Sequence, residues 1–294
     1  MKALAISGGG GKIGFAAGVV YALDKKGIKP DYISGISSGS LVGIMTATGQ
    51  LEEMKHLLTE EVTNDHVFKK RTFRYGLRFL KHKIGVQSPI QGFYDNSPLK
   101  ELIHSYIHGK VMQCDYWAGI VEVNTNRFLN VHIPKGMVLA GRRYDNWLNS
   151  ILASTAIPII FPPVKMMGGL YVDAGLHHDT PFFPLKKAIQ GKADEIIAVS
   201  MHHPSPPIQV KNDIDMAAYT IQTLISRAAE EELKKFEMIN EIAKREGGKT
   251  TILGKTYYHY PSTIYRPSVP LNDSLDFDYR KIKKDFELGT QTGK

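Results

Sequence analysis

The sequence predicts an α/β fold, a three-layer α/β/α arrangement around a mainly parallel central sheet. Apolar runs of strand length alternate with helical patterns along most of the chain. The first alternation is a strand over 2–7, a helix from Gly14 to a stop at Gly27, and a strand over 30–36. A unit of this length forms a right-handed crossover between parallel strands. With 294 residues, no internal repeat and no low-complexity segment, we expect one domain over 1–294.

The later elements follow from apolar periodicity and from residues that start or stop helices. Ser97-Pro98 is a helix start and Gly109 a helix stop. We predict further helices over 38–48, 51–62, 97–109, 144–156, 213–246 (broken or bent) and 279–288, the last ending at Gly289. We predict further strands over 119–123, 128–133, 170–172, 195–200 and 257–260, with a hairpin at Asn124-Thr125-Asn126.

The composition bounds the class of protein. Cys114 is the one cysteine, which excludes an intrachain disulfide. The apolar stretch at the N-terminus is too short for a signal peptide, and no run of about 18 apolar residues occurs. We therefore expect a cytoplasmic protein, peripheral on membranes if it binds lipid.

The basic charge is concentrated in one segment, residues 66–94. This segment holds seven Lys or Arg and no acidic residue, although the net charge of the whole chain is only +8. Its aromatic residues either pack on the core below a solvated surface or enter a lipid interface beside the cations. On the second interpretation the contacts with anionic lipid come from Lys69, Lys70, Arg71, Arg74 and Arg78. We expect a lipid surface rather than nucleic acid as the partner.

A run of four glycines, Gly8 to Gly11, follows the first strand. Such a run can aim backbone N–H groups at a developing oxyanion, and it also forms plain tight turns. Gly9, Gly11 and Gly14 fit the dinucleotide fingerprint G-x-G-x-x-G, but no acidic residue ends the second strand. A P-loop is excluded because Lys12 is followed by isoleucine. We rank the oxyanion interpretation first.

The second strand runs into Gly35-Ile36-Ser37-Ser38-Gly39, which fits the nucleophile elbow G-x-S-x-G between a strand and a helix. A helix N-cap is the alternative role for Ser37. A nucleophilic serine needs a base. His202, His203 and His259 lie late enough for a triad, while Asp173, before Ala174-Gly175, is a carboxylate at a predicted strand end.

Three motifs together resemble, in order and spacing, those of the patatin-like phospholipases: the glycine run through Lys12, the Ser37 elbow, and Asp173-Ala174-Gly175. The segments 153–158, 161–163 and 275–289 extend this resemblance over nearly the whole chain. It implies that Ser37 is the nucleophile, Asp173 the base of a Ser-Asp dyad, and the amides of Gly9, Gly10 and Gly11 the oxyanion hole. The chain departs from the family pattern at Ile13 and Ala174, where glycine is common.

The resemblance implies a lipid acyl hydrolase that cleaves carboxylic esters of (phospho)lipids through an acyl-serine. We expect no cofactor and no metal, because no metal-binding motif occurs in the sequence. An esterase of small soluble esters is the first alternative. A nucleotide-dependent oxidoreductase and a non-catalytic protein that binds lipid or nucleic acid are the others.

Overall fold

The computed structural model describes residues 1–70, 92–177, 192–203, 210 and 213–294. It confirms the α/β class, with a mainly parallel central sheet flanked by helices. The strands are β1 (Lys2–Ile6), β2 (Tyr32–Gly35), β3 (Lys69–Lys70), β4 (Tyr94–Asp95), β5 (Asp115–Glu122), β6 (Arg127–Ile133), β7 (Val164–Met166), β8 (Gly169–Asp173), β9 (Glu195–Val199), β10 (Lys249–Ile252), β11 (Lys255–Tyr258) and β12 (Ser262–Tyr265).

The helices match most of the helical patterns of the sequence. They are α1 (Ile13–Lys25), α2 (Ser38–Ala47), α3 (Leu51–His56), α4 (Asn64–Val67), α5 (Ser97–Ile107), α6 (Tyr144–Ser154), α7 (Asp213–Arg245) and α8 (Tyr279–Thr292). A π-helical turn, Leu57–Glu61, follows α3, and 3₁₀ turns cover Gly10–Lys12, Gly141–Arg143 and Ala174–Leu176.

The central sheet has eight strands in the order β12-β9-β1-β2-β5-β8-β7, with β6 also paired to β5. The pairs from β12 to β5 are parallel, as the first crossover predicts. The pairs β5–β6, β5–β8 and β7–β8 are antiparallel. The central strands β1 and β9 are almost completely buried, so they form part of the apolar core.

Strand β5 brings two distant parts of the chain together. One edge of β5 pairs with β6 from Tyr116 to Glu122. Strands β2 and β8 must therefore share the other edge, where Gly35 pairs with Ala118 and Asp173 pairs with Ile120. The C-terminal ends of β2 and β8 therefore point towards each other along this edge, and their last residues pair with positions two residues apart on β5.

Two predicted helix features differ from the structure. Helix α7 runs without a break over 33 residues, from Asp213 to Arg245. Helix α8 does not end at Gly289 but continues to Thr292. A Cβ at Gly289 would lie 2.1 Å from the carbonyl oxygen of Phe15 in α1. This glycine is therefore needed for close packing of α8 on α1 rather than for a helix cap.

Candidate active site

Ser37 stands on a sharp turn between β2 and α2. Its backbone has φ 55° and ψ −134°, a conformation that non-glycine residues rarely adopt. Among the hydrogen bonds that hold the turn, two involve side chains, from Ser37 N to Ser154 Oγ (3.0 Å) and from Ser40 Oγ to Ser37 O (2.7 Å). A serine with this backbone conformation at a strand-to-helix turn has the local geometry of a nucleophile elbow.

Close backbone contacts explain why glycines flank this serine. A Cβ at Gly35 would lie 2.4 Å from the carbonyl oxygen of Gly39, and a Cβ at Gly39 would lie 2.3 Å from that of Ser7. A Cβ at Gly8 would lie 2.9 Å from Ser37 Cβ. Any side chain at these positions would displace the elbow from β1 or from the glycine run.

Asp173 is the last residue of β8 and is 97% buried, since only 3% of its surface is exposed. Its Oδ1 accepts a hydrogen bond from Gly175 N (2.7 Å). Its Oδ2 is buried and has no hydrogen-bond partner among the described residues. Side-chain packing fixes this position, because Ile36 of the elbow lies in one apolar cluster with Val121 and Ala174. An oxygen without a donor is free to accept a proton.

Burial raises the pKa of Asp173 from its ordinary 3.8 to about 7. The neighbouring Ser37 hydroxyl and the Gly175 amide oppose this rise. The hydroxyl therefore approaches the carboxyl, although it does not complete a hydrogen bond to Oδ2. Catalytic hydrogen bonds are often long before substrate binds. A carboxyl with a pKa of about 7 is a far better base at neutral pH than an ordinary aspartate.

The glycine run agrees only in part with the expected oxyanion hole. The N–H groups of Gly9 and Gly10 donate no hydrogen bond within the described residues, and Gly10 lines the same cavity as Ser37. Gly11 differs from the expectation, because its N–H donates to Ser274 O at 2.8 Å. This amide is already engaged, so it is not available to an oxyanion in this structure.

The same contacts argue against a dinucleotide at the glycine run. A Cβ at Gly10 would lie 2.1 Å from Ser274 O, and a Cβ at Gly11 would lie 2.4 Å from Asp273 O. In a dinucleotide site the glycines leave room for a pyrophosphate. Here the backbone of residues 273–276 fills the space beside Gly10 and Gly11 that a pyrophosphate would need.

A cavity of about 80 Å³ has Ser37 in its lining. Its walls come mainly from apolar side chains of α2, α3, α5 and the π-helical turn after α3. They include Leu41, Met45, Met54, Leu57, Leu99, Ile103 and Ile107, and Thr155, Ser274 and Phe277 also line the cavity. Since α2 rises 1.5 Å per residue, Met45 lies about 10 Å along the helix from Ser38. The cavity therefore offers an apolar wall about 10 Å long beside Ser37.

The late histidines do not form a triad with Ser37 in the described residues. His202 Nδ1 lies 3.1 Å from Ser226 Oγ in α7. Burial, and then the charge of Lys12, lower the pKa of His202 to about 3. The backbone N–H of His259 donates to Gly248 O, and no hydrogen bond joins a histidine to Ser37 in this part of the chain.

The basic segment is only partly described. Lys69 and Lys70 form β3, are exposed, and line a surface groove together with Leu275 and Arg280. Arg71, Arg74 and Arg78 lie outside the described residues, so their expected membrane contacts stay predictions. No helix in the described ranges is long and apolar enough to cross a membrane. No three metal-ligating side chains of the kind His, Cys, Asp or Glu cluster in these ranges either.

Sequence comparison identifies a family. A family model described as patatin-like phospholipase matches residues 4–186. A triacylglycerol lipase of Schizosaccharomyces pombe, ptl2, is 24% identical over 213 residues, which are 63% of this chain and 31% of that one. The uncharacterized protein YqhO of Bacillus subtilis is 20% identical over 229 residues, covering 74% of this chain and 78% of that one. This chain spans about a third of the yeast lipase.

Comparison with solved structures finds more distant similarity. Human GIVD cytosolic phospholipase A2 aligns with a TM-score of 0.45 and 12% identity, over 99% of this chain and 58% of that one. VipD from Legionella pneumophila aligns with a TM-score of 0.42 and 12% identity, over 99% of this chain and 66% of that one. This chain spans less than two thirds of the length of the phospholipase structure and 66% of VipD.

Proposed function

The chain belongs to the patatin-like phospholipase family, and we propose that it is a lipid acyl hydrolase with a Ser37–Asp173 dyad. The observation that carries this proposal is the pairing of the two residues. The strained Ser37 elbow and the end of β8 meet on one edge of β5, and one oxygen of the Asp173 carboxyl there has no hydrogen-bond partner within the part of the chain that the structure describes. The proposed reaction is acyl transfer to serine and then to water.

In the proposed first step, Asp173 Oδ2 takes the proton of Ser37 as Oγ attacks the ester carbonyl. The tetrahedral oxyanion accepts hydrogen bonds from the amides of Gly9 and Gly10, and the positive end of the α2 dipole supports it. The alcohol leaves with the proton held by Asp173, and an acyl-serine remains. A water molecule then attacks the acyl-serine and gives a proton to Asp173. Asp173 returns this proton to Ser37 Oγ as the ester bond to the serine breaks, which releases the fatty acid and restores the free enzyme.

The cavity favours a fatty acyl substrate over a small soluble ester. Most of its lining side chains are apolar, and those of α2 extend for about 10 Å along the helix from Ser38 to Met45. Burying an acyl chain there gains roughly 0.8 kcal/mol for each methylene group removed from water. A short acyl group would leave most of this wall without contacts. The phospholipase A or lysophospholipase type of activity is part of this proposal.

The proposal is tested by lipid turnover with purified protein. Phospholipid and triacylglycerol vesicles are incubated with wild type, Ser37→Ala and Ser38→Ala, and the released fatty acid is measured. Ser38 is the matched control, because it adjoins Ser37, lines the same cavity and is similarly buried. We expect loss of turnover by roughly 10⁴-fold or more in Ser37→Ala and a near-normal rate in Ser38→Ala. Equal rates for Ser37→Ala and wild type would exclude the proposed nucleophile.

We further propose that the protein meets its lipid peripherally through the basic segment. Support comes from the exposed Lys69 and Lys70 on a groove that shares Leu275 with the acyl cavity. Each cation near an anionic surface contributes about 1 kcal/mol. Lys69→Ala/Lys70→Ala should therefore weaken binding to anionic vesicles roughly tenfold or more at low salt, while exposed Lys244→Ala/Lys249→Ala should not. If vesicle binding does not change with salt, with lipid charge or with either double substitution, the proposed lipid-binding surface is refuted.

A further inference from the structure

The glycine run is packed against a loop near the C-terminus, Asn272–Phe277, which we call the C-terminal loop. Gly11 N donates to Ser274 O at 2.8 Å. Gly10 has φ +58°, and a Cβ there would lie 2.1 Å from Ser274 O. A Cβ at Gly11 would lie 2.3 Å from Asp276 O. The two segments are thus in direct backbone contact, so any displacement of the C-terminal loop must displace Gly10 and Gly11.

Asn272 holds the C-terminal loop in its shape. Its side-chain Nδ2 donates to Asp276 O at 2.7 Å, which closes the loop on itself. Its backbone N donates to Asp285 Oδ2 at 3.1 Å, which ties the loop to α8. Ser274 lies between Asn272 and Asp276, the two residues that the first hydrogen bond joins, and the second bond fixes Asn272 on α8. The position of the Ser274 carbonyl against Gly11 therefore depends on both of these bonds.

Neighbouring elements restrain the same loop from other directions. Phe277 N donates to Asn64 Oδ1 of α4 at 2.8 Å. Gln222 of α7 hydrogen-bonds through Nε2 to Ser274 Oγ. Lys12, at the end of the glycine run, is buried with Asp273 and Asp285 as its acidic neighbours. Helices α4, α7 and α8 thus restrain the C-terminal loop, and the contact from α7 is made to Ser274, the residue whose carbonyl lies against Gly10 and Gly11.

We propose that the C-terminal loop sets the position of the amides that receive the oxyanion, with Asn272 as the positioning residue. This inference rests on the proposed acyl transfer at Ser37. The loop lies beyond residue 186, where the match to the family model ends. Asn272 acts through Ser274 and Gly11 on the amides of Gly9 and Gly10, and it does not touch the reacting atoms.

The expected effect falls on kcat. Asn272→Ala removes the donor to Asp276 O, so the loop relaxes and the Ser274 carbonyl moves against Gly10 and Gly11. A misplacement of about 1 Å at a catalytic group can cost roughly 10²-fold in rate. KM should change only a few-fold, because most of the acyl cavity is formed by α2, α3 and α5 rather than by this loop.

The test compares Asn272→Ala with Asn240→Ala. Asn240 also ties down backbone through its side chain, since its Nδ2 donates to Tyr260 O (2.8 Å) and its Oδ1 accepts from Tyr260 N (2.7 Å). Both variants should be less stable to urea, and Asn240→Ala at least as much as Asn272→Ala, because it loses two side-chain hydrogen bonds and Asn272→Ala loses one. We expect kcat to fall roughly 10²-fold in folded Asn272→Ala alone, with a parallel fall in the rate of fluorophosphonate labelling at Ser37.

Gln222→Ala is the second variant, and it keeps the proposal testable if Asn272→Ala does not fold. It should lower kcat several-fold in the same direction with KM unchanged, because it frees Ser274 Oγ. A kcat near that of wild type in either folded loop variant, or equal losses in Asn272→Ala and Asn240→Ala, would overturn the positioning role. Absence of turnover in the wild type would instead refute the proposed hydrolase.

Discussion

Asp173→Asn should remove activity and at the same time stabilise the protein at alkaline pH relative to wild type. The substitution keeps an acceptor for Gly175 N, which donates to Oδ1 at 2.7 Å in the wild type. It removes a carboxylate that folding buries. Because burial raises the pKa of Asp173 from 3.8 to about 7, the folded protein binds this proton more tightly than the unfolded chain does. Asp173 should therefore lower the stability of the wild type as pH rises between these two values.

The magnitude follows from the two pKa values. Each pH unit between them corresponds to roughly 1.4 kcal/mol, so the ionised carboxylate should cost about 4 kcal/mol of unfolding free energy once the pH exceeds 7. Below pH 3.8 both states are protonated and the cost disappears. The new amide group replaces Oδ2, which has no hydrogen-bond partner among the described residues, and the cost of about 1–3 kcal/mol for leaving this amide unpaired does not change with pH.

Urea unfolding of wild type and Asp173→Asn from pH 5 to pH 8.5 measures the effect. The stability of the variant minus that of the wild type should grow by about 3 kcal/mol over this range. All other titrating groups are common to the two proteins and cancel in the difference. A difference that stays constant with pH, or that shrinks as pH rises, would refute the buried, raised pKa of Asp173.

Three further predictions follow from the site. The value of kcat/KM should rise with pH through about 7 and then level off, because only ionised Asp173 accepts the serine proton. A profile in which kcat/KM rises near pH 4 and is already level at pH 7 would contradict this. Gly10→Ala should lower the free energy of unfolding in urea more than Gly27→Ala does. Both positions have positive φ, which costs an alanine roughly 1–2 kcal/mol, but only at Gly10 would the new Cβ also meet Ser274 O. Equal losses in the two variants would contradict this close contact. Met45→Phe should shift the preference for p-nitrophenyl esters towards shorter acyl chains, because Met45 lies about 10 Å along α2 from the elbow; an unchanged preference would contradict the acyl role of the cavity.

Local sequence patterns predicted the parts of the site that depend on nearby residues. The elbow at Ser37 was predictable, because its turn requires glycines at fixed offsets, and each of them faces a backbone carbonyl. The crossover from β1 to β2 was predictable from apolar runs and their spacing. Asp173 could be singled out as a carboxylate at a strand end, although only the register on β5 shows how it reaches Ser37.

Long-range contacts account for what the sequence could not predict. Gly289 looks like a helix stop, but it is a contact point between α8 and α1. Gly11 looks like an oxyanion donor, but its amide is taken by Ser274, which lies 263 residues away. Ser154, which accepts from Ser37 N, carries no local signal beyond its place in the segment that resembles the family. Tertiary packing determines such partners, so the apolar periodicity of the sequence cannot predict them.

The central claim is that Ser37 becomes covalently acylated with Asp173 as its base. Mass spectrometry of wild type, Ser37→Ala, Ser38→Ala and Asp173→Asn after treatment with a fluorophosphonate probe tests it most directly. We predict a single adduct on Ser37 in wild type and Ser38→Ala, no adduct in Ser37→Ala, and labelling slowed by orders of magnitude in folded Asp173→Asn. An adduct on another residue, or labelling of Asp173→Asn at the wild-type rate, would contradict the dyad.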